Sequence, residues 1–319
     1  MMVKEKNREN MKNRENMKNR ENMKNRENYH SIIIIGAGPA GISTALQLQR
    51  EGTSYLLIGE EIGGCVKNAF LIENLITFPQ GISGKKLCEI FTEIIQNYRL
   101  NFKQLRVNRI DFLQNLFQIE TRYGKFQSSY LVLATGSQPK KLDVAGESEG
   151  FKQQKLYYEI KNINSTQKRI AIIGSGDVAF DYALNLVQKG NEVIILVRSS
   201  KIRAISRLQN LVGEKNNIKI QLNFPISNIS LKNEQIRIFS SSAKHLPYFE
   251  VDLIIVAIGR IPNSFLIEKY LKTQKNELFQ SRRLFLIGDL VHPQYRQISL
   301  SMGDGIKTAM ELCKSELIK

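Results

Sequence analysis

The chain has 319 residues, 42% of them hydrophobic, which is enough for two domains that each bury a core of their own. Its three cysteines (Cys65, Cys88, Cys313) and three histidines (His30, His245, His292) are scattered, which argues against a zinc-type centre and a disulfide framework and for a reducing, cytoplasmic setting. The net charge of +16 reads first as Lys/Arg spread over the surface; no nucleic-acid module accompanies it, and an acidic protein partner is the remaining reading.

Residues 1–28 carry the hexamer Met-Lys-Asn-Arg-Glu-Asn three times, at Met11–Asn16, Met17–Asn22 and Met23–Asn28. A period of six fits neither a coiled coil nor a stacked repeat, and the segment has too little apolar content for a core. It is expected to be a disordered low-complexity tail. Its glutamates, and the Gly/Pro turn that soon cuts the apolar run Ile32–Ile35, argue against a secretory signal.

The run Ile32–Ile35 reads as a strand that feeds Gly36-Ala37-Gly38-Pro39-Ala40-Gly41 and then a helix from Ile42 to about Glu51. A strand, a glycine turn and a helix start bring backbone N–H groups and the positive helix end against a pyrophosphate. A second strand, Tyr55–Ile58, should end near the acidic residue that binds ribose hydroxyls, and Glu60 is the candidate. Gly63-Gly64-Cys65, Glu73-Asn74 and the run Phe78–Gly84 follow, and Leu131–Leu133 leads as a buried strand into Ala134-Thr135-Gly136.

The pattern then repeats. Ile170–Ile173 runs into Gly174-Ser175-Gly176-Asp177-Val178-Ala179, so a second dinucleotide is expected. The strand Glu192–Val197 ends in Arg198-Ser199-Ser200-Lys201-Ile202-Arg203. An acid at that strand end would repel a 2′-phosphate, whereas Arg198 and Arg203 suit one and the two serines add donors. This favours NADP(H), with NAD(H) as the alternative. The apolar run Val251–Ile258 is too short to span a bilayer and reads as a buried strand.

In order along the chain, Gly36–Gly41, Gly63-Gly64, Glu73-Asn74, Phe78–Gly84, Ala134–Gly136, Gly174–Ala179, Ala257-Ile258-Gly259-Arg260, Gly288-Asp289, Tyr295-Arg296-Gln297 and Gly303-Asp304-Gly305 resemble the thioredoxin-reductase-like flavoproteins, a class of the pyridine nucleotide-disulfide oxidoreductases. The resemblance spans residues 31–319. It implies an α/β protein with two Rossmann-like, three-layer ββα dinucleotide-binding domains. The FAD domain would comprise 29–143 and 255–319, with the NAD(P)H domain, 144–254, inserted into it. It implies that FAD is held by Gly36, Gly38, Pro39, Ala40, Gly41, Glu60, Gly64, Cys65, Asn74, Ala134, Thr135, Gly136, Gly288, Asp289, Arg296, Gln297 and Ile298. NADP would be held by Gly174, Ser175, Gly176, Asp177, Val178, Arg198, Ser199, Ser200, Arg203, Ile258 and Gly259. A homodimer is implied as well.

The chain departs from that family at its reactive centre. At the place of the redox Cys-x-x-Cys stand Tyr158-Glu159-Ile160-Lys161, and at the other known dithiol position Cys65 is followed five residues on by Phe70. A thiol relay therefore lacks its residues. Leu156-Tyr157-Tyr158 through Lys161 to Ile170, followed by Asp181-Tyr182-Ala183, resembles the ferredoxin–NADP reductases of the same fold, which also lack the dithiol. The leading expectation is hydride transfer from NADPH to FAD and on to a non-disulfide acceptor such as ferredoxin. Three alternatives stand beside it: a disulfide reductase that uses Cys65 or an external thiol, a ferredoxin-side flavoprotein with little NADPH use, and a degenerate flavin-binding regulatory module. Cys65 itself reads first as small apolar filler.

Overall fold

A computed structural model of the chain describes residues 28–232, 235–242 and 248–314. The repeat tail, apart from Asn28, lies outside the described residues, as does His245. The first strand, β1 (Tyr29–Ile35), is central and covered on both faces. Ile32 and Ile34 join the core beneath the helices, whereas Ile33 and Ile35 join the core on the opposite side, which is the two-residue alternation of a strand. Helix α1 (Pro39–Arg50) starts with proline at its first turn, where a missing N–H costs nothing. After β2 (Tyr55–Gly59) comes α2 (Gly84–Asn97), capped by Ser83 Oγ, which accepts the Lys86 N–H at 3.2 Å.

Next come β3 (Phe102–Gln104), β4 (Val107–Leu113), β5 (Leu116–Thr121) and β6 (Gly124–Leu133). The long β6 pairs antiparallel with β5 through its first half, and its second half runs parallel to β1. The resulting sheet order is β3-β2-β1-β6-β5-β4. Ile110, Phe117, Ile119 and Phe126 of the β4–β6 meander cover the face of the parallel strands opposite the helices. Three layers result.

The chain leaves this unit along β7 (Ser137–Pro139) and α3 (Glu147–Lys152) and builds a second one on the same plan. It contains β8 (Leu156–Tyr157), β9 (Arg169–Ile173), α4 (Asp177–Gln188), β10 (Glu192–Leu196), α5 (Ser206–Gly213) and β11 (Ile218–Gln221). A meander of β12 (Ile226–Lys232), β13 (Gln235–Ser240) and β14 (Tyr248–Val251) follows, and β15 (Leu253–Val256) completes a parallel sheet of order β11-β10-β9-β15-β8. The alternation recurs, with Ile170 and Ile172 facing the helices and Ala171 and Ile173 facing the meander.

The return to the first unit, expected at residue 255, falls inside β15, whose register with Ile170–Ile173 keeps it in the second sheet. The chain crosses back along β16 (Arg260–Pro262), antiparallel to β7, so the two crossings form a two-stranded neck. Beyond α6 (Lys275–Gln280), β17 (Leu284–Leu286) rejoins β6 in the first sheet. Helix α7 (Ile298–Lys314) then packs along α1 so closely that a Cβ on Gly305 would lie 2.3 Å from the Ala40 carbonyl oxygen. The fold is thus α/β with two dinucleotide-binding units. Among the described residues, no helix is long and apolar enough to cross a membrane.

Candidate functional site

The two outer glycines of the first turn are required by the fold itself. Gly36 adopts φ +116°, and a Cβ there would lie 2.1 Å from the Ala134 oxygen, while one on Gly41 would lie 1.8 Å from the Gly36 oxygen. Gly38 is different. A Cβ there would meet nothing within 4 Å, and no side chain caps α1 at this end. An uncapped helix start beside an open backbone approach suits a pyrophosphate.

Distant residues converge on that helix end. The Gly63 N–H donates to the Ala37 oxygen at 2.7 Å, and a Cβ on Gly64 would lie 3.9 Å from Gly38 Cα. Gly288, at φ +68°, sits where a Cβ would come within 3.0 Å of Ala40 Cβ. Asp304 fixes this corner by accepting the Gly288 N–H and pairing with His292 Nε2, each at 2.9 Å. Ser137 Oγ donates to Asp289 at 3.2 Å, and the Cys65 thiol donates to the Ser137 oxygen at 3.8 Å. Asn74 and Gln297 are joined at 2.5 Å, Thr135 Oγ1 donates to the Asn263 oxygen at 2.8 Å, and Gly136 accepts the Asn263 N–H at 2.9 Å. The Arg296 guanidinium bonds the Pro293 oxygen, and Ile298 opens α7.

Glu60 stands apart at the exposed end of β2, 3.8 Å from Arg106. Its neighbour Glu61 turns inward to Lys67 and Lys161 instead. At the end of the Gly64–Asn68 turn, the buried Asn68 amide nitrogen has no partner among the described residues.

The second turn repeats the logic. A Cβ on Gly174 would lie 2.3 Å from the Ala257 oxygen, whereas Gly176 is open and α4 has no side-chain cap. The loop after β10 folds onto this turn. Arg203 Nε donates to Ser175 Oγ at 3.1 Å, the Arg203 and Ala204 N–H groups donate to the Ser175 oxygen, and Asp177 accepts the Ile205 N–H at 2.9 Å. Val178, Arg198, Ser199 and Ser200 are exposed beside it. Gly259 follows Ile258 at the neck, where its oxygen accepts the Lys140 N–H at 3.0 Å.

Between the two turns runs a chain of charges that motif reading did not identify. Arg260 donates to Ser137 Oγ (3.0 Å), to the Ser137 oxygen (2.7 Å) and to Glu159 (2.9 Å). Lys161 pairs with Glu159 at 3.2 Å and with Glu61. Burial works against the Lys161 charge, but the two carboxylates outweigh it and raise its pKa. Tyr158 donates instead to the buried Glu147 at 2.8 Å. All four residues at the dithiol's place are thus committed to packing or to polar partners, Ile160 being buried in the second core.

Burial pushes the Cys65 thiol up, with Arg260, Glu159 and Asp289 as the charges around it, and it likewise raises Asp289. Asp181 is a further polar residue at this junction, an acid that stands in sequence between the buried aromatics Phe180 and Tyr182 of α4. It accepts the Phe70 and Leu71 N–H groups at 2.8 and 3.3 Å, and burial raises its pKa to about 6.

Two uncapped glycine turns on sister units, facing a shared neck, define a protein built for two dinucleotides. The sequence profile of the pyridine nucleotide-disulphide oxidoreductases matches residues 30–305, and the chain belongs to that family. It is 28% identical to the thioredoxin reductase of Rickettsia typhi over 89% of this chain and 97% of that one. It is 26% identical to the thioredoxin reductase of Debaryomyces hansenii over 89% and 96%. The crystal structure of T. acidophilum thioredoxin reductase superposes with a TM-score of 0.78 at 23% identity, covering 91% of this chain and 99% of that one. This is a flavin-dependent NAD(P)H oxidoreductase of the thioredoxin-reductase-like class, and the family uses FAD and NAD(P)H. The open Gly38 and the uncapped α1 start fit the pyrophosphate of such a dinucleotide.

Proposed function

We propose that the chain takes a hydride from NADPH at the second turn onto FAD at the first, and passes the electrons to an acceptor that is not a protein disulfide. The observation that carries this reading is the fate of the dithiol's place. Tyr158, Glu159, Ile160 and Lys161 are tied to Glu147, Arg260, the second core and Glu61, and the three described cysteines are all free. FAD supplies two-electron acceptance and release singly or in pairs. The protein's own part is to bind and position. Gly38 and the α1 start would receive the flavin pyrophosphate, and Arg203 with Arg198 would pair with a 2′-phosphate. The resemblance to ferredoxin–NADP reductases and the net charge of +16 favour a small acidic electron carrier, with ferredoxin as the first to try, and family habit favours a homodimer.

Anaerobic titration of the purified protein tests the reading. Rapid bleaching of the flavin by NADPH, slower bleaching by NADH, and no NADPH-driven thioredoxin reduction are expected. A bound flavin that NADPH does not bleach would favour the regulatory module. Thioredoxin turnover that disappears in Cys65→Ser would favour the disulfide reductase.

A further inference from the structure

The two units are joined covalently only through the neck, and the pairing there is three residues long on each strand, Ser137–Pro139 against Arg260–Pro262. So short a ribbon leaves rotation of one unit against the other to be fixed by other contacts. One segment of the first unit reaches across. The Phe70 side chain packs against the apolar core of the second unit. Its N–H and that of Leu71 both end on the Asp181 carboxylate of α4. On one side, Asn68 Oδ1 accepts the Lys161 N–H at 3.2 Å; on the other, Glu73 receives the Arg207 guanidinium, with Nε at 2.8 Å.

We propose that residues 68–73 form a clasp that fixes the orientation of the second unit against the Gly64–Asn68 turn, with Phe70 as its apolar anchor and Asp181 as its catch. The exposed Glu73–Arg207 pair adds little to this on its own. Phe70 and Asp181 carry the clasp, because one removes apolar area from water and the other satisfies two backbone donors in a half-buried place. With the clasp shut, Glu159 of the second unit bonds Arg260, which donates to the same Ser137 oxygen that accepts the Cys65 thiol, so the second unit stands beside that thiol. The clasp thereby sets how the second glycine turn is presented to the first. That consequence rests on the two-site reading above, whereas the clasp itself does not.

Hydrogen exchange read by mass spectrometry, on the protein without nicotinamide, tests it. Phe70→Ala and Asp181→Ala are each expected to speed exchange in residues 68–73 by about tenfold or more, the first through lost apolar burial and the second through two lost hydrogen bonds to a charged acceptor. Alkylation of Cys65 should accelerate in the same two variants by a similar factor. Asp181→Asn keeps an acceptor and has no charge to bury, so it should exchange at 68–73 no faster than the parent. Strands Ile32–Ile35 and Ile170–Ile173 should exchange as before. Unchanged exchange at 68–73, unchanged Cys65 alkylation, an Asn variant as loose as the Ala variant, or faster exchange in both central strands would each overturn the clasp. None of these outcomes depends on whether NADPH reduces the flavin.

Discussion

Asp181 offers a test that turns on the sign of a linkage. Its carboxylate lies on α4 between two buried aromatics and accepts two N–H groups, which favour the charge, yet burial prevails and lifts its pKa from an ordinary 3.8 to about 6. The folded chain therefore binds this proton more tightly than the unfolded chain. The stability it contributes is complete below about pH 4 and is lost as pH rises through 6. The step from 3.8 to about 6 corresponds to roughly 3 kcal/mol when fully developed. Asp181→Asn cannot ionise, so it should match the parent at pH 4 and exceed it by roughly 2–3 kcal/mol at pH 7.5. Urea unfolding of both proteins at several pH values measures the difference, in which every other titrating group cancels. A difference that does not change with pH, or an Asn variant that becomes the weaker one above pH 6, would refute the reasoning.

The glycine turn separates a ligand effect from a folding effect. Gly38→Val should leave the fold intact and abolish FAD uptake, read as loss of the yellow absorbance; Gly41→Ala, whose Cβ meets the Gly36 oxygen at 1.8 Å, should lower thermal stability by about 1–3 kcal/mol even without cofactor. Arg198→Ala with Arg203→Ala should raise KM for NADPH about tenfold more than KM for NADH, as expected for lost charge-assisted bonds to a 2′-phosphate. Equal effects on both nucleotides would show that these arginines read something else. Cys65→Ser should keep ferricyanide reduction within a few fold, because hydride transfer from nicotinamide to flavin needs no thiol. Collapse of that activity would give the thiol a direct part in it.

Much was readable from the chain because it was local. The strand–glycine–helix order and the loss of the dithiol depend on residues near one another in sequence, where period and backbone sterics decide. Val251–Ile258 is one apolar run in the sequence, and only the pairing of Leu253–Val256 with β9 shows which sheet owns that strand. Glu60 followed from its place at a strand end, yet Glu61 is the acid drawn inward, a choice made by Lys161 a hundred residues away. Nothing in the sequence joins Glu159 to Arg260 or Phe70 to Asp181. Those pairs form where two separately packed units meet across a short neck. Which charges end up facing one another there is fixed by how the units are oriented, and no local period or propensity encodes that.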